Sequence, residues 1–257
     1  MIPYPLPPLT GLSILVTRPA MQAGSLHAQL VRLGAQVTLF PALEIQPHPF
    51  DLPTLRYDLL IFISSNAVQH GLTLLNDQNQ ARIAAVGTST AQALIDAGHA
   101  VDISPEAAAN SEALLQHPLL RNPPNKVLII KGTGGRELLR ETLIARGSQV
   151  DVLEVYRRIP SQPHQDLLEE VQRLLENNLI DLITLTSTEM VYALDRLIGT
   201  VIAKRNIGLL TGSIRIAQVA REAGWQGECI VADSPEETQL IRSLTRWHTR
   251  ARTELLR

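Results

Sequence analysis

The chain has 257 residues, which suits one large domain or two of about 100–150 residues each, and 45% of them are hydrophobic, enough for a full core. The net charge of −2 gives no global sign of a nucleic-acid-binding protein, so any site for a polyanion has to be local. Cys229 is the only cysteine, which excludes an internal disulfide and fits a reducing compartment. Neither a signal peptide nor an apolar run of about 20 residues is found, so we expect a soluble, cytoplasmic protein.

An internal repeat organises the chain. Residues 14–47 and 127–160 align without a gap, and their identical pairs include Gly34 with Gly147 and Pro47 with Pro160. Each copy predicts a buried strand, a loop, an amphipathic helix, a glycine stop and a second strand. The similarity continues with 58–68 against 181–191 and with 82–101 against 206–225. Alternating strands and helices predict an α/β protein with two similar doubly wound parallel-sheet domains.

Two connectivities are compatible with this repeat. The domains are consecutive and divide near 121–125, or the chain crosses between them twice, near 41–48 and 154–161. Pro41, Pro47 and Pro49 bracket the first of these segments, and Pro160 and Pro163 close the second. Proline-bracketed, extended segments are typical of connectors, which favours the double crossing.

Six loops follow the predicted strands at the edge where open parallel sheets bind ligands. These loops are 17–22, 64–68, 87–91, 131–137, 186–190 and 211–215. They are rich in hydroxyl groups, glycines and the N–H groups that open helices, and Arg18, Lys131 and Arg136 add charges, so they suit a ligand with several carboxylates or phosphates. For any one loop, ordinary helix capping without ligand contact is the stronger interpretation. The loop 131–137 is not a Walker loop, no GxGxxG follows the first strand, and the histidines lack metal-ligand spacing, so neither a dinucleotide nor a metal is expected.

Tyr156 lies in the second predicted connector and is followed by two arginines. Because side chains alternate along a strand, Tyr156 and Arg158 should share one side. A phenol keeps its proton at neutral pH and can donate it, so Tyr156 is a candidate general acid. An aromatic ring packed across a strand pair is an equally good interpretation.

In this order and spacing, the segments ILVTRP, FISSNAV, AAVGTSTAQAL and VLIIKG through VYRR resemble those of the uroporphyrinogen-III synthase family, over about residues 12–232. The resemblance implies a first domain of 1–40 with 162–257, a second domain of 49–153, and connector strands 41–48 and 154–161. It also implies a cytoplasmic, monomeric enzyme without a cofactor. The implied reaction closes hydroxymethylbilane, a linear tetrapyrrole with eight carboxylates, to uroporphyrinogen III, with loss of water and inversion of the last pyrrole ring.

The same resemblance makes Tyr156 the catalytic residue, a tyrosine that faces the cleft and assists loss of the hydroxyl group. Ser64, Ser65 and Thr90 match cleft-lining positions, and Ser187 and Thr188 occupy the equivalent loop. Arg215 stands where many members have threonine, which makes that contact a charged one. The expected substrate-binding residues are Arg18, Ser64, Ser65, Asn66, Gly87, Thr90, Lys131, Gly132, Ser187, Thr188 and Arg215.

Two rival functions use the same loops. A non-catalytic two-domain protein that binds another polyanion would keep the hydroxyl-rich loops without needing Tyr156. A transferase for nucleotide-activated substrates would need an acidic or metal-coordinating residue near a strand end, and the sequence offers no convincing candidate. We expect a small-molecule partner and neither nucleic acid nor membrane, and the sequence leaves open a transient contact with the preceding enzyme of the pathway.

Overall fold

The computed structural model describes residues 6–77, 80–105, 110–202 and 206–255. Strands and helices alternate along most of the chain, as the repeat predicts. The elements in chain order are β1 (Ser13–Val16), α1 (Ala20–Arg32), β2 (Gln36–Leu39), β3 (Leu43–Pro47), β4 (Leu59–Phe62), α2 (Ser65–Gly71), α3 (Thr73–Asp77), β5 (Arg82–Ala85), α4 (Thr88–Asp96), α5 (Ser111–Leu115), α6 (Pro118–Arg121), β6 (Lys126–Gly132), α7 (Leu138–Ala145), β7 (Gln149–Pro160), α8 (Gln165–Glu176), β8 (Leu182–Leu185), α9 (Thr188–Ile202), β9 (Gly208–Thr211), α10 (Ile214–Glu222), β10 (Cys229–Val231) and α11 (Glu237–Leu255). Within the described ranges, no helix is both long enough and apolar enough to cross a bilayer.

The chain divides into two compact units, which we call unit 1 (Met1–Glu44 with Ile159–Arg257) and unit 2 (Ile45–Arg158). The sheet of unit 1 has the strand order β10-β9-β8-β1-β2, and the sheet of unit 2 has the order β3-β7-β6-β4-β5. The neighbouring strands pair in parallel from β10 to β2 in the first sheet and from β7 to β5 in the second. The predicted α/β class with two parallel sheets is therefore confirmed.

Both copies of the repeat form the same strand, helix and strand, β1-α1-β2 in unit 1 and β6-α7-β7 in unit 2. Gly34 and Gly147 follow the two helices with φ angles of +94° and +95°, a backbone region that side chains with a Cβ adopt at a cost. At Gly34 a Cβ would also lie 2.8 Å from the side chains of Pro7 and Thr10. The predicted glycine stops are therefore required by the backbone.

Each sheet is covered on both faces, which explains why its central strands are mostly apolar. In β1, Leu15 packs into the apolar layer on one face, whereas Ile14 and Val16 pack into the layer on the other. In β6, Leu128 and Val127 divide between the two layers of unit 2 in the same way. Successive residues of a strand point to opposite faces, so a strand covered on both sides favours apolar residues at most positions. Two buried exceptions, Lys131 in β6 and Thr184 in β8, each have a hydrogen-bond partner.

Hydrogen bonds join the segments that we predicted as connectors. The backbone N–H of Ser161 donates to the carbonyl of Ala42 at 3.0 Å. Farther along, β3 and β7 lie side by side in the sheet of unit 2, and the N–H of His48 donates to the carbonyl of Val155 at 2.9 Å. The domain bounds 1–40 with 162–257 and 49–153 stay a prediction.

Candidate active site

The carboxyl ends of three neighbouring strands of unit 2, β4, β6 and β7, bring Ser64, Gly132 and Tyr156 together. Gly132 pairs with Tyr156 after a register shift between Lys131 and Gly132. The backbone N–H of Thr133 then donates to the carbonyl of Tyr156 at 2.8 Å. Ligands bind at this edge of open parallel sheets, so we take this cluster as the candidate active site.

The ring of Tyr156 is buried, with 1% of the residue exposed, and packs in the core of unit 2. The burial of the ring fits the alternative interpretation of a packed aromatic, and the role of a tyrosine facing the cleft, which the resemblance implies, stays a prediction. Its hydroxyl oxygen lies 3.1 Å from Ser64 Oγ and accepts a hydrogen bond from Arg158 Nη2 at 3.2 Å. The predicted side shared by Tyr156 and Arg158 is thereby confirmed, and the guanidinium carbon lies 5.5 Å from the ring centroid. Tyr156 thus combines a core ring with a hydroxyl group that has two polar partners.

Gly132 lies directly against the ring of Tyr156. A Cβ at Gly132 would lie 2.5, 2.6 and 2.9 Å from three ring carbons of Tyr156. Carbon atoms in contact are normally about 3.5–4.0 Å apart, so only glycine leaves room for the ring. We predicted Gly132 as a substrate contact, and the structure provides a different reason for a glycine at this position.

Helix capping accounts for part of what the sequence singled out in unit 2. Four more predicted residues lie where the helices after β4 and β5 begin: Ser65, Asn66, Gly87 and Thr90. Ser64 is the N-cap of α2, and its Oγ accepts a hydrogen bond from the N–H of Ala67 at 3.1 Å. Gly87 is the N-cap of α4 and provides no side chain. Asn66 and Thr90 are 5% and 2% exposed, whereas Ser64 and Ser65 are partly exposed and can reach a ligand more directly.

Lys131 is a buried and paired cation, with 5% of the residue exposed. Its Nζ lies 2.9 Å from Oε1 of Glu137. The hydrogen bond from Lys131, with its charge, lowers the pKa of Glu137. The charge of Lys131 is therefore balanced within unit 2. Its neighbour in the same loop, Arg136, is likewise paired with both carboxylate oxygens of Glu112, at 2.5 and 3.2 Å.

Arg18, at the carboxyl end of β1 in unit 1, is also held by its own unit. Its Nη1 lies 3.2 Å from Oε1 of Glu237, its Nη2 donates to the carbonyl of Pro235, and 13% of its side chain is exposed. Burial lowers the pKa of Arg18, and the charge of Glu237 acts in the opposite direction. Ser25 and Gln29 donate to the second oxygen of the same carboxylate, at 2.7 and 2.9 Å. This network ties the loop after β1 to the start of α11.

The other predicted residues of unit 1 begin the helices after β8 and β9. Ser187 Oγ accepts a hydrogen bond from the N–H of Met190 at 3.2 Å, and Thr188 is the first residue of α9. Both are partly exposed, and Arg215 is exposed in the first turn of α10. Counted from the N-cap, Arg215 corresponds to Ser89 of α4, and Ile216 corresponds to Thr90.

Arg158 is the functional candidate that our list of site residues omitted. The signal was present, because strand alternation already placed it beside Tyr156. Its contact with the phenol hydroxyl depends on side-chain conformation, which a strand pattern does not specify. Within the described ranges, no three side chains of His, Cys, Asp or Glu are placed to hold a metal ion.

Comparison with known proteins identifies the family. The family description of uroporphyrinogen-III synthase HemD matches residues 24–242. The uroporphyrinogen-III synthase of Escherichia coli K12 is 36% identical over 250 residues, covering 91% of this chain and 100% of the relative. The uroporphyrinogen-III synthase of Salmonella typhimurium LT2 is 37% identical over 254 residues, with the same coverage of 91% and 100%.

Solved structures agree on the fold. Uroporphyrinogen-III synthetase of Helicobacter pylori 26695 has a TM-score of 0.61 at 14% identity, covering 92% of this chain and 99% of its own. A mutant uroporphyrinogen III synthase of the extreme thermophile Thermus thermophilus has a TM-score of 0.56 at 18% identity, covering 92% and 98%. With relatives that match over their full length and a common α/β architecture, the chain belongs to the uroporphyrinogen-III synthase family.

Proposed function

We propose that the chain cyclises hydroxymethylbilane to uroporphyrinogen III, with inversion of the last pyrrole ring and loss of water. The observation that carries the proposal is the match to uroporphyrinogen-III synthases over their full length, at 36% and 37% identity. The chain is accordingly a cyclising lyase, and the tetrapyrrole is its substrate. Neither rival function is favoured, because the relatives that match over their full length are named uroporphyrinogen-III synthases and not polyanion-binding proteins or transferases.

Catalysis of this reaction depends mainly on orienting the substrate and less on activating it chemically. The substrate is reactive and cyclises unaided without inversion, so the enzyme has to direct attack to the substituted carbon of the last ring. Holding reacting atoms in a productive geometry lowers a barrier without covalent chemistry. Short hydroxyl and N–H contacts to the eight carboxylates suit this task.

We assign the catalytic role to Tyr156, supported by the position of its hydroxyl group between Ser64 and Arg158 at the carboxyl edge of the sheet. Loss of the substrate hydroxyl as water requires a proton, which a phenol can provide. The cation of Arg158 at 3.2 Å would stabilise the phenolate that remains.

We assign substrate binding to the remaining predicted residues, unit by unit. In unit 2 these are Ser64, Ser65, Asn66, Gly87 and Thr90. In unit 1 these are Ser187, Thr188, Arg18 and Arg215, and the exposure of Arg215 supports a charged contact to a carboxylate. For Lys131 and Gly132 the role stays a prediction, because the first is paired with Glu137 and the second makes room for Tyr156.

The direct test supplies hydroxymethylbilane, oxidises the product and separates the porphyrin isomers. We expect isomer III, well above the spontaneous yield of isomer I. Isomer I alone, at the rate of the uncatalysed reaction, would refute the proposed function. Size-exclusion chromatography with light scattering tests the proposed monomer, and fractionation of cells tests the proposed cytoplasmic location.

A further inference from the structure

Ser64 separates the buried phenol of Tyr156 from the surface of unit 2. Tyr156 is 1% exposed, and its hydroxyl oxygen lies 3.1 Å from Ser64 Oγ, whereas Ser64 is partly exposed. A general acid has to come within hydrogen-bonding distance of the group that it protonates. In this structure the serine hydroxyl meets that condition more readily than the phenol.

Counting hydrogens gives the direction of this hydrogen bond. An arginine can only donate, so the phenol oxygen accepts from Arg158, and Ser64 Oγ accepts from the N–H of Ala67. The two hydroxyl groups carry two hydrogens but share one hydrogen bond, and one hydrogen is left over. If Ser64 donated to Tyr156, the unused hydrogen would lie on a buried oxygen without an acceptor among the described residues, and an unpaired buried donor is costly. Tyr156 therefore donates to Ser64, and the hydrogen of Ser64 is free for a ligand.

We propose that Ser64 relays the proton of Tyr156 to the leaving hydroxyl group of the bilane. This inference rests on the proposed function. The carbon–oxygen bond breaks with its electron pair on oxygen, which takes the hydrogen of Ser64 and leaves as water. Ser64 takes the phenolic hydrogen at the same time, Tyr156 becomes a phenolate beside Arg158, and the bilane cation is stabilised by its pyrrole nitrogen. When the closed ring regains aromaticity it loses one proton, which returns to Tyr156 through Ser64.

The test measures kcat and KM for isomer III formation in Ser64→Gly, Tyr156→Phe and the double variant. Glycine is nearly as good an N-cap as serine, so the first variant removes the hydroxyl group and largely spares α2. We expect each single variant to lose kcat by a similar factor, about 10²-fold, and the double variant to lose no more than either. KM should stay within about twofold, and Ser64→Thr should restore most of kcat because it keeps a hydroxyl group. Asn110→Gly, which alters the N-cap of α5 in the same unit, is the matched control and should retain wild-type kcat.

Variants of Arg158 provide a second, independent test of the relay. Arg158→Ala should lower kcat in the wild-type background and have no further effect when Tyr156 is already phenylalanine. The exposed neighbour Arg157, which donates to Gln46 at 3.1 Å, is the control for loss of a surface arginine. An Arg158→Ala effect that persists without the phenol would show that Arg158 binds a substrate carboxylate directly, and would overturn its part in the relay.

The outcomes separate the relay from the proposed function. The relay would be overturned if the losses of kcat in Ser64→Gly and Tyr156→Phe multiplied in the double variant, or if Ser64→Gly changed KM alone. Either result would leave isomer III formation by the wild-type protein untouched. Isomer I alone from the wild-type protein would remove the proposed function instead.

Discussion

Gly132→Ala should displace the ring of Tyr156 from its packed position in the core of unit 2. The new Cβ would lie 2.5–2.9 Å from three carbons of the ring. Because carbon contacts are normally about 3.5–4.0 Å, the ring has to move by about 1 Å. It is buried in the core and has little space for this movement. A shift of that size is enough to break hydroxyl contacts that are already 3.1 and 3.2 Å long.

Two effects follow from this displacement. Overpacking of a well-packed core costs about 1–3 kcal/mol of stability. At about 4 °C per kcal/mol for a unit of this size, the melting temperature of unit 2 should fall by about 4–12 °C. Turnover should fall about as far as in Tyr156→Phe, because the hydroxyl group no longer meets Ser64.

The measurements are thermal unfolding and the rate of isomer III formation. Gly24→Ala is the control, since a Cβ there meets no atom within 4 Å, and that variant should be unchanged or slightly more stable in the α1 helix. A Gly132→Ala protein with wild-type melting and turnover would refute the view that this glycine makes room for the ring.

Three further predictions concern other positions. Gly227→Ala should destabilise unit 1 by about 3 kcal/mol or more, because its Cβ would lie 1.6 Å from the carbonyl oxygen of Ile207; an unchanged midpoint in urea would contradict this. Burial, with the hydrogen bond to Asp151, raises the pKa of Tyr57 from its ordinary 10.0 to about 12, so its contribution to stability is complete below pH 10 and is lost as the pH rises toward 12. Alkaline unfolding of Tyr57→Phe should accordingly show a shallower loss over that window, and equal slopes would argue against the shift. Tyr156→Phe should lower kcat by about 10²-fold without unfolding the protein, as checked by circular dichroism, and a wild-type rate would remove the assigned role.

The amino-acid sequence alone determined the α/β architecture, because its signals are local. Apolar strands, amphipathic helices and the glycines at 34 and 147 each act within a few residues, and the gapless repeat shows that the same unit is built twice. Strand alternation even placed Arg158 on the side of Tyr156, a contact that the structure contains at 3.2 Å.

What only the tertiary structure decided is how the candidate residues are used. Arg18 is paired with Glu237, 219 positions away, and the hydroxyl of Tyr156 meets Ser64 across 92 positions. Such distant partners decide whether the charge of a cation is already paired within the protein. The register shift between β6 and β7 places Gly132 against the ring of Tyr156. Local patterns carry no information about these contacts, because they form only when separate strands and helices pack against each other.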